Sequence, residues 1–271
     1  MSALPAGQLA KRLVFSAIFV SITIWAIFFA PYWLFFGVVS AFSLLALNEF
    51  FSLAGKKNIY VNRWIGLFFG ALVPFAIMHS AESAVLTAAC LSIFVFHFFK
   101  KEKDQALLSA AMTLFGIVYV PLFLSHLLLM KNLPGGDSWI FYTVLLVKGG
   151  DAGAYFIGKN YGKTKLIEYV SPNKSVEGSV ACIITSVFLS VISKLYLPQA
   201  SYTNLLVLGI GLGVLSQLGD LAESLIKREA GVKDSGNIPG LGGILDVLDS
   251  LILTIPFVYY YILHFVLQVP F

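Results

Sequence analysis

The sequence predicts an all-α, polytopic integral membrane protein, and three observations lead there. Hydrophobic residues fill 58% of the 271 positions, charged residues only 12%, and mean hydropathy is +0.87, far outside the range of a soluble domain. Apolar stretches recur at lengths near the roughly 20 residues that a helix needs to cross a bilayer. These runs lack the alternation of outer-membrane strands, so the backbone is expected to satisfy its polar groups within helices.

Taken in order, the stretches fall at residues 13–30, 32–48, 64–79, 83–99, 106–130, 139–158, 179–197, 203–222 and 244–268, about nine spans. The first follows Lys11 and Arg12, as a signal peptide would, but runs straight into the second without an evident small-residue cleavage site. It is read as a retained helix. The chain divides into residues 1–130, with about five helices, and residues 131–271, with the remaining helices and two polar loops. Neither a tandem repeat nor a convincing inverted repeat is evident, so neither a solenoid nor a repeat-built transporter is indicated.

Basic residues set the orientation. With a cytoplasmic N-terminus, the inside segments hold Lys11, Arg12, Lys56, Lys57, Arg63, Lys100, Lys101, Lys103, Lys159, Lys163, Lys165, Lys174, Lys227, Arg228 and Lys233, fifteen of the 18 basic residues. Lys131 and Lys194 face outside, and Lys148 falls within a span. The positive-inside rule favours this topology. It also accounts for the net charge of +4, together with attraction to anionic headgroups, so no nucleic-acid partner is implied.

Several familiar signals carry no chemistry here. Cys90 and Cys182 lie alone in different spans, and His79, His97, His126 and His264 show no ligand spacing. The segment Gly153–Asn160 resembles a phosphate-binding loop but has Asn160 where Ser or Thr is required, and Gly158–Thr164 is one residue short between its glycines.

Two polar regions remain, both on the cytoplasmic side in this topology. In the first, Asp151 lies inside the sixth span with Lys148 on the same helical face. An ionisable residue at that depth is a functional candidate, although a Lys148–Asp151 pair could equally be structural. Downstream, Ser171, Pro172, Asn173, Lys174 and Ser175 are expected to form a turn before Glu177 and Gly178. Such a loop is either a solvated connector with a helix cap or a donor of Lys174, hydroxyls and amides to a phosphate.

In the second region, Asp220, Glu223, Ser224 and Lys227 recur at three- and four-residue intervals and share one helix face beside Arg228. Two carboxylates there suit a divalent cation, and the basic pair suits phosphate. The turn Gly236–Gly243 allows close backbone approach to a ligand. Asp246 and Asp249 then follow, three residues apart, on the first turns of the ninth span. A helix dipole stabilises carboxylates at such a position, and the two together can hold Mg²⁺.

These residues carry a resemblance. Ser224, Lys227, Arg228, Lys233, Asp234, Pro239, Gly240, Gly242, Gly243, Asp246 and Asp249 keep the spacing of the signature of phosphatidate cytidylyltransferases, also called CDP-diacylglycerol synthases. Asp151–Tyr155 (DAGAY) and Ser171–Gly178 (SPNKSVEG) look like that family's second conserved region. The likeness covers the C-terminal half in detail and the N-terminal half only in its hydrophobic plan. Two positions depart: the family pattern has His where this chain has Leu241, and Arg where it has Val247. Leu offers no proton or hydrogen bond, and Val removes a fixed positive charge.

The resemblance implies Mg²⁺-dependent attack by a phosphatidate phosphate oxygen on the α-phosphorus of CTP, forming CDP-diacylglycerol and pyrophosphate. A second cation and a homodimer are compatible with it. It implies metal binding by Asp220, Asp246 and Asp249, and phosphate binding by Lys227, Arg228 and Lys174. Ser224, Ser171, Lys233, Gly240, Gly242 and Gly243 would contact substrate, with Asp151 and Glu177 also in the site. The expected location is a bacterial inner membrane, with the site facing the cytoplasm. The alternatives are a divergent relative using another lipid phosphate or nucleotide, a weakened relative, and a transporter or lipid-binding protein using Asp151, Asp220 and Asp246 as an ion pathway. The last would spread its charges through the bilayer.

Overall fold

The computed structural model describes residues 20–99, 105–238 and 242–270, and these are almost entirely helical. Lys11, Arg12, Lys100, Lys101, Lys103, Pro239, Gly240 and Leu241 lie outside the described residues. Of the expected first span, residues 20–28 are helical. Then come α1 (Tyr32–Lys56), α2 (Arg63–Met78), α3 (Glu82–Phe99), and α4 (Ala106–Ile117), which runs through a π turn (Val118–Leu122) into α5 (Phe123–Lys131). Beyond them lie α6 (Gly136–Tyr161), the short strands β1 (Lys165–Ile167) and β2 (Ser171–Ser175), α7 (Val176–Ile192), α8 (Tyr202–Glu229), α9 (Ile244–Ile252) and α10 (Thr254–Tyr261).

Seven of the described helical runs are long and apolar enough to cross a membrane, counting Ala106–Lys131 and Ile244–Val266 as single runs. The helix α2, at 16 residues, is shorter. At 1.5 Å per residue it reaches about 24 Å, below the roughly 30 Å hydrocarbon thickness. The hydrogen-bond ladder of the Ala106–Lys131 run changes at Val118–Leu122. Pro121 has no amide proton to give and sits in the π turn between α4 and α5.

The interior is a continuous apolar core. Leu47, Phe50 and Phe51 of α1 meet Trp139 and Tyr142 of α6, Leu205, Leu208 and Leu212 of α8, and Ile252 and Ile255 near the C-terminal end. The outer faces are also apolar: Trp64 and Phe99 are each 85% exposed, which a bilayer accommodates and water does not.

Helices α6, α7 and α8 pack closely through small and hydroxylated residues. A side chain at Gly213 would meet the Ile183 backbone at 2.8 Å, so α7 and α8 touch main chain to main chain. Tyr142 Oη lies 2.7 Å from Ser190 Oγ, which donates to the Leu205 carbonyl at 2.5 Å, joining the three helices. Similarly, a Cβ at Gly219 would strike the Asp249 carbonyl, so this glycine brings α9 against α8.

Between α6 and α7 the structure departs from the expected turn. Ser171–Ser175 is an extended strand, paired antiparallel to Lys165–Ile167. Pro172 is tolerated because both strands of a two-stranded ribbon are edges, where a missing amide proton interrupts nothing. At the ribbon's end Ser175 caps α7, its Oγ accepting the Gly178 amide at 3.1 Å.

Candidate active site

The ends of α1, α6 and α8 and the starts of α7 and α9 meet at one end of the bundle, and the polar side chains gather there. Asp220, Glu223, Ser224 and Lys227 share one face of α8, as helical spacing requires. Lys227 ion-pairs with both Glu223, one turn earlier, and Asp246 Oδ1 of α9, the latter at 2.5 Å. The Glu223 side chain is fully buried and those of Lys227 and Asp246 are each 10% exposed. Ions this enclosed persist only when paired.

Asp246 also organises the chain ahead of α9. Its Oδ2 accepts from the Ser235 amide (2.8 Å), the Ser235 hydroxyl (2.9 Å) and the Gly243 amide (2.6 Å). The third contact is an N3 carboxylate reaching back to the first amide of the helix. Ile238 and Gly242 exchange backbone hydrogen bonds, and Gly242 has φ +82°, the left-handed conformation that favours glycine.

This turn is held from the other side by Glu49 of α1. Glu49 Oε2 accepts from Ser235 Oγ and the Leu245 amide, both at 2.8 Å, and Oε1 accepts the Ile244 amide at 3.0 Å. The orphan amides at the start of α9 are therefore satisfied by a carboxylate from the N-terminal half.

Beside this cluster lies a second, more open one. Asp220 Oδ2 pairs with Lys174 Nζ of β2 at 2.7 Å, and its Oδ1 accepts from Ser224 Oγ at 3.2 Å. Asp249 accepts the Ser250 amide on Oδ1 at 2.5 Å, and among the described residues its Oδ2 has no hydrogen-bond partner. Asp151 accepts from Ser250 Oγ at 3.2 Å and lies 3.7 Å from Lys148 Nζ. Lys148 Nζ also donates to the Val247 carbonyl (3.0 Å) and lies 3.1 Å from Ser250 Oγ. Asp151, Asp220 and Asp249 fall within electrostatic reach of one another.

Other expected site residues are employed differently. Arg228 donates to the carbonyls of Val170 (3.2 Å) and Val232 (3.3 Å), tying the strand region to α8. Glu177 accepts the Thr164 amide at 3.2 Å and so braces the start of the ribbon. Ser171 is the first residue of β2, and Lys233 is exposed, with no ion pair among the described residues. Gly242 and Gly243 form the turn, whereas Gly240 lies outside the described residues.

One carboxylate of the site did not stand out in the sequence. Glu49 is a single acid in a long apolar run, a signal in itself because such a charge needs a partner. Glu223, one of the two α8 carboxylates whose spacing suits a cation, is instead completely buried and paired with Lys227.

Among the described residues, no three His, Cys, Asp or Glu side chains form a ready-made metal cage. The aspartate oxygens nevertheless fit a Mg²⁺-like cation that completes its shell elsewhere. Such ions are commonly held by one or two carboxylates, with water and substrate phosphates filling the remaining positions. Apolar helices with paired acids and lysines gathered at one bundle end define a polytopic membrane protein with a polar cluster at that end.

The chain belongs to the cytidylyltransferase family, whose model matches residues 10–265. It is 44% identical to the phosphatidate cytidylyltransferase of Bacillus subtilis (strain 168) over 147 residues, 53% of this chain and 54% of that protein. To the phosphatidate cytidylyltransferase of Synechocystis it is 44% identical over 135 residues, 49% of this chain and 45% of the relative. A longer match, 30% identical over 243 residues, covers 86% of this chain and 80% of the uncharacterized protein YnbB of Escherichia coli K12. The chain thus spans about half the length of the phosphatidate cytidylyltransferases it matches.

Proposed function

We propose that the protein transfers a cytidylyl group from CTP to phosphatidate, giving CDP-diacylglycerol and pyrophosphate. The observation that carries this reading is the alternation of lysines and carboxylates at one bundle end, where Lys227 lies between Glu223 and Asp246 and Lys174 pairs with Asp220. Transfers at phosphorus are catalysed chiefly by positioning and charge neutralisation, which such a set supplies.

In this reading a phosphatidate oxygen bonds to the α-phosphorus of CTP as the bond to the bridging oxygen breaks, and pyrophosphate leaves. Mg²⁺, when bound, neutralises phosphate charge and orients the reacting groups. Asp220 and Asp249 would hold the cation, Asp249 through Oδ2, which has no hydrogen-bond partner among the described residues. Lys174 exchanges Asp220 for phosphate oxygens, and Lys227 exchanges Asp246 for them while keeping the buried Glu223. Release of Lys227 frees Asp246 Oδ1 as a further ligand, and a second cation would draw on Asp151. Ser224 and Ser171 supply hydroxyls. The amides of Gly242 and Gly243, with Gly240, line the approach, while Arg228, Glu177 and Lys233 shape the loops around it.

The site faces the cytoplasm of a bacterial inner membrane in this reading, because Lys56, Lys57, Lys159 and Lys163 flank the same end of the bundle. A homodimer is part of the proposal by family likeness, and the mass of the purified protein in detergent checks it. The activity is tested with purified protein, CTP, phosphatidate and Mg²⁺, following CDP-diacylglycerol and pyrophosphate together. Absence of both products where the Bacillus subtilis relative makes them would overturn the reading.

A further inference from the structure

The cations of the site differ in how fully they are neutralised. Lys227 is enclosed between two carboxylates, with only 10% of its side chain exposed. Lys174 is held at 2.7 Å by Asp220 and its side chain is 24% exposed. Arg228 is turned onto two backbone carbonyls. Lys148 differs from both lysines in its loose pairing, with Asp151 3.7 Å away and 42% of its side chain exposed, and from Arg228 in lying among the site's aspartates. Its shorter contacts, the Val247 carbonyl and the Ser250 hydroxyl, are neutral. An ammonium that is strongly held by no carboxylate, yet points among Asp151, Ser250 and the first turns of α9, keeps its charge available to an incoming anion.

The position on α9 matters as much as the charge. Val247 and Ser250 are three residues apart and share one helix face, and Lys148 reaches that face from α6. Val247 gives this turn no charge of its own. Asp249, whose Oδ2 lacks a hydrogen-bond partner among the described residues, is within electrostatic reach of Lys148.

We propose that Lys148 is a phosphate-binding side chain of this site, delivering from α6 the positive charge that Val247 leaves absent from α9. The proposal rests on the cytidylyl-transfer reading. The phosphate belongs either to CTP or to phosphatidate, and the ammonium stabilises charge on its oxygens without exchanging a proton.

The test uses full-length purified protein in mixed micelles. Lys148→Gln keeps a hydrogen-bond donor for the Val247 carbonyl but removes the charge. It should lower kcat/KM for CTP, for phosphatidate or for both by about tenfold or more, the scale of one charge-assisted hydrogen bond. The substrate whose KM rises identifies the source of the phosphate. Lys148→Arg should stay within about threefold of the parent, since the charge and donors persist. Val247→Arg in the Lys148→Gln background should recover much of the loss, because position 247 lies one turn from Ser250. Thermal unfolding separates misfolding from loss of charge.

Unchanged kcat/KM for both substrates in Lys148→Gln would overturn the proposal. A Lys148→Arg variant as poor as the Gln variant would also do so, as would a folded Val247→Arg double variant with no recovery. A parent protein without turnover sinks the cytidylyl-transfer reading itself and this proposal with it. An active parent with an indifferent Lys148 sinks this proposal alone.

Discussion

Glu49 Oε2 accepts the Leu245 amide at 2.8 Å, across 196 positions of sequence. The same carboxylate holds Ile244 and Ser235, so one side chain of α1 fixes both the start of α9 and the turn that leads into it. Glu49→Ala leaves the Ile244 and Leu245 amides unsatisfied, at about 1–3 kcal/mol for each one that stays buried, while the Ser235 hydroxyl keeps Asp246. The variant should unfold at lower temperature and lose most cytidylyl transfer, whereas Glu49→Gln, which keeps one acceptor oxygen, should lie between. Thermal unfolding in detergent together with the product assay checks both.

The buried pair on α8 gives a non-additive prediction. Lys227→Met leaves the Glu223 carboxylate enclosed without its counterion, which costs about 3–5 kcal/mol in comparable cases. Glu223→Gln combined with Lys227→Met should be more stable than Lys227→Met alone, although equally inactive. A double-mutant cycle on unfolding midpoints measures the coupling, and a cycle that closes additively would remove the pair from the account of stability.

The two aspartates of α9 should separate in their effects. Asp246→Asn places an amide where one oxygen now accepts from Ser235 and Gly243, so it should loosen the turn and lower stability as well as activity. Asp249→Asn loses little of its surroundings, since among the described residues its one side-chain hydrogen bond is to the neighbouring Ser250 amide. It should remain folded while losing turnover and shifting the Mg²⁺ dependence. Mg²⁺ titrations of rate, run beside unfolding curves, distinguish the two.

Gly219→Ala tests the close approach of α8 and α9. The added methyl would strike the Asp249 carbonyl and push α9 outward, moving Asp249 from Asp220. The expected result is a loss of activity larger than the loss of stability, where overpacking costs about 1–3 kcal/mol. Equal activity in a stably folded Ala variant would mean that the spacing of the two aspartates is not critical.

Much of this site was legible because helical periodicity is a local property. Asp220, Ser224 and Lys227 align by spacing alone, and their shared face is the one that carries the ion pairs and the Asp220–Ser224 hydrogen bond. Glu49 was not legible in the same way, since its partners lie in α9 and no local pattern links them. The strand at Ser171–Ser175 was missed for a related reason. Pro, Asn and Ser favour turns locally, and extension became visible only with its partner Lys165–Ile167. Likewise, the contacts of Arg228 with the Val170 and Val232 carbonyls join segments that no local pattern in the sequence links.

The reach of Glu49 also sets an order of events during biosynthesis. The helix that bears it leaves the ribosome almost 200 residues before the amides it will bind. Throughout that interval the carboxylate lacks these donors, and the turn before α9 cannot take its final form. A ribosome stalled before Ile244 would therefore carry a bundle in which Glu49 still lacks the amides of α9, so the turn and the start of α9 are set together.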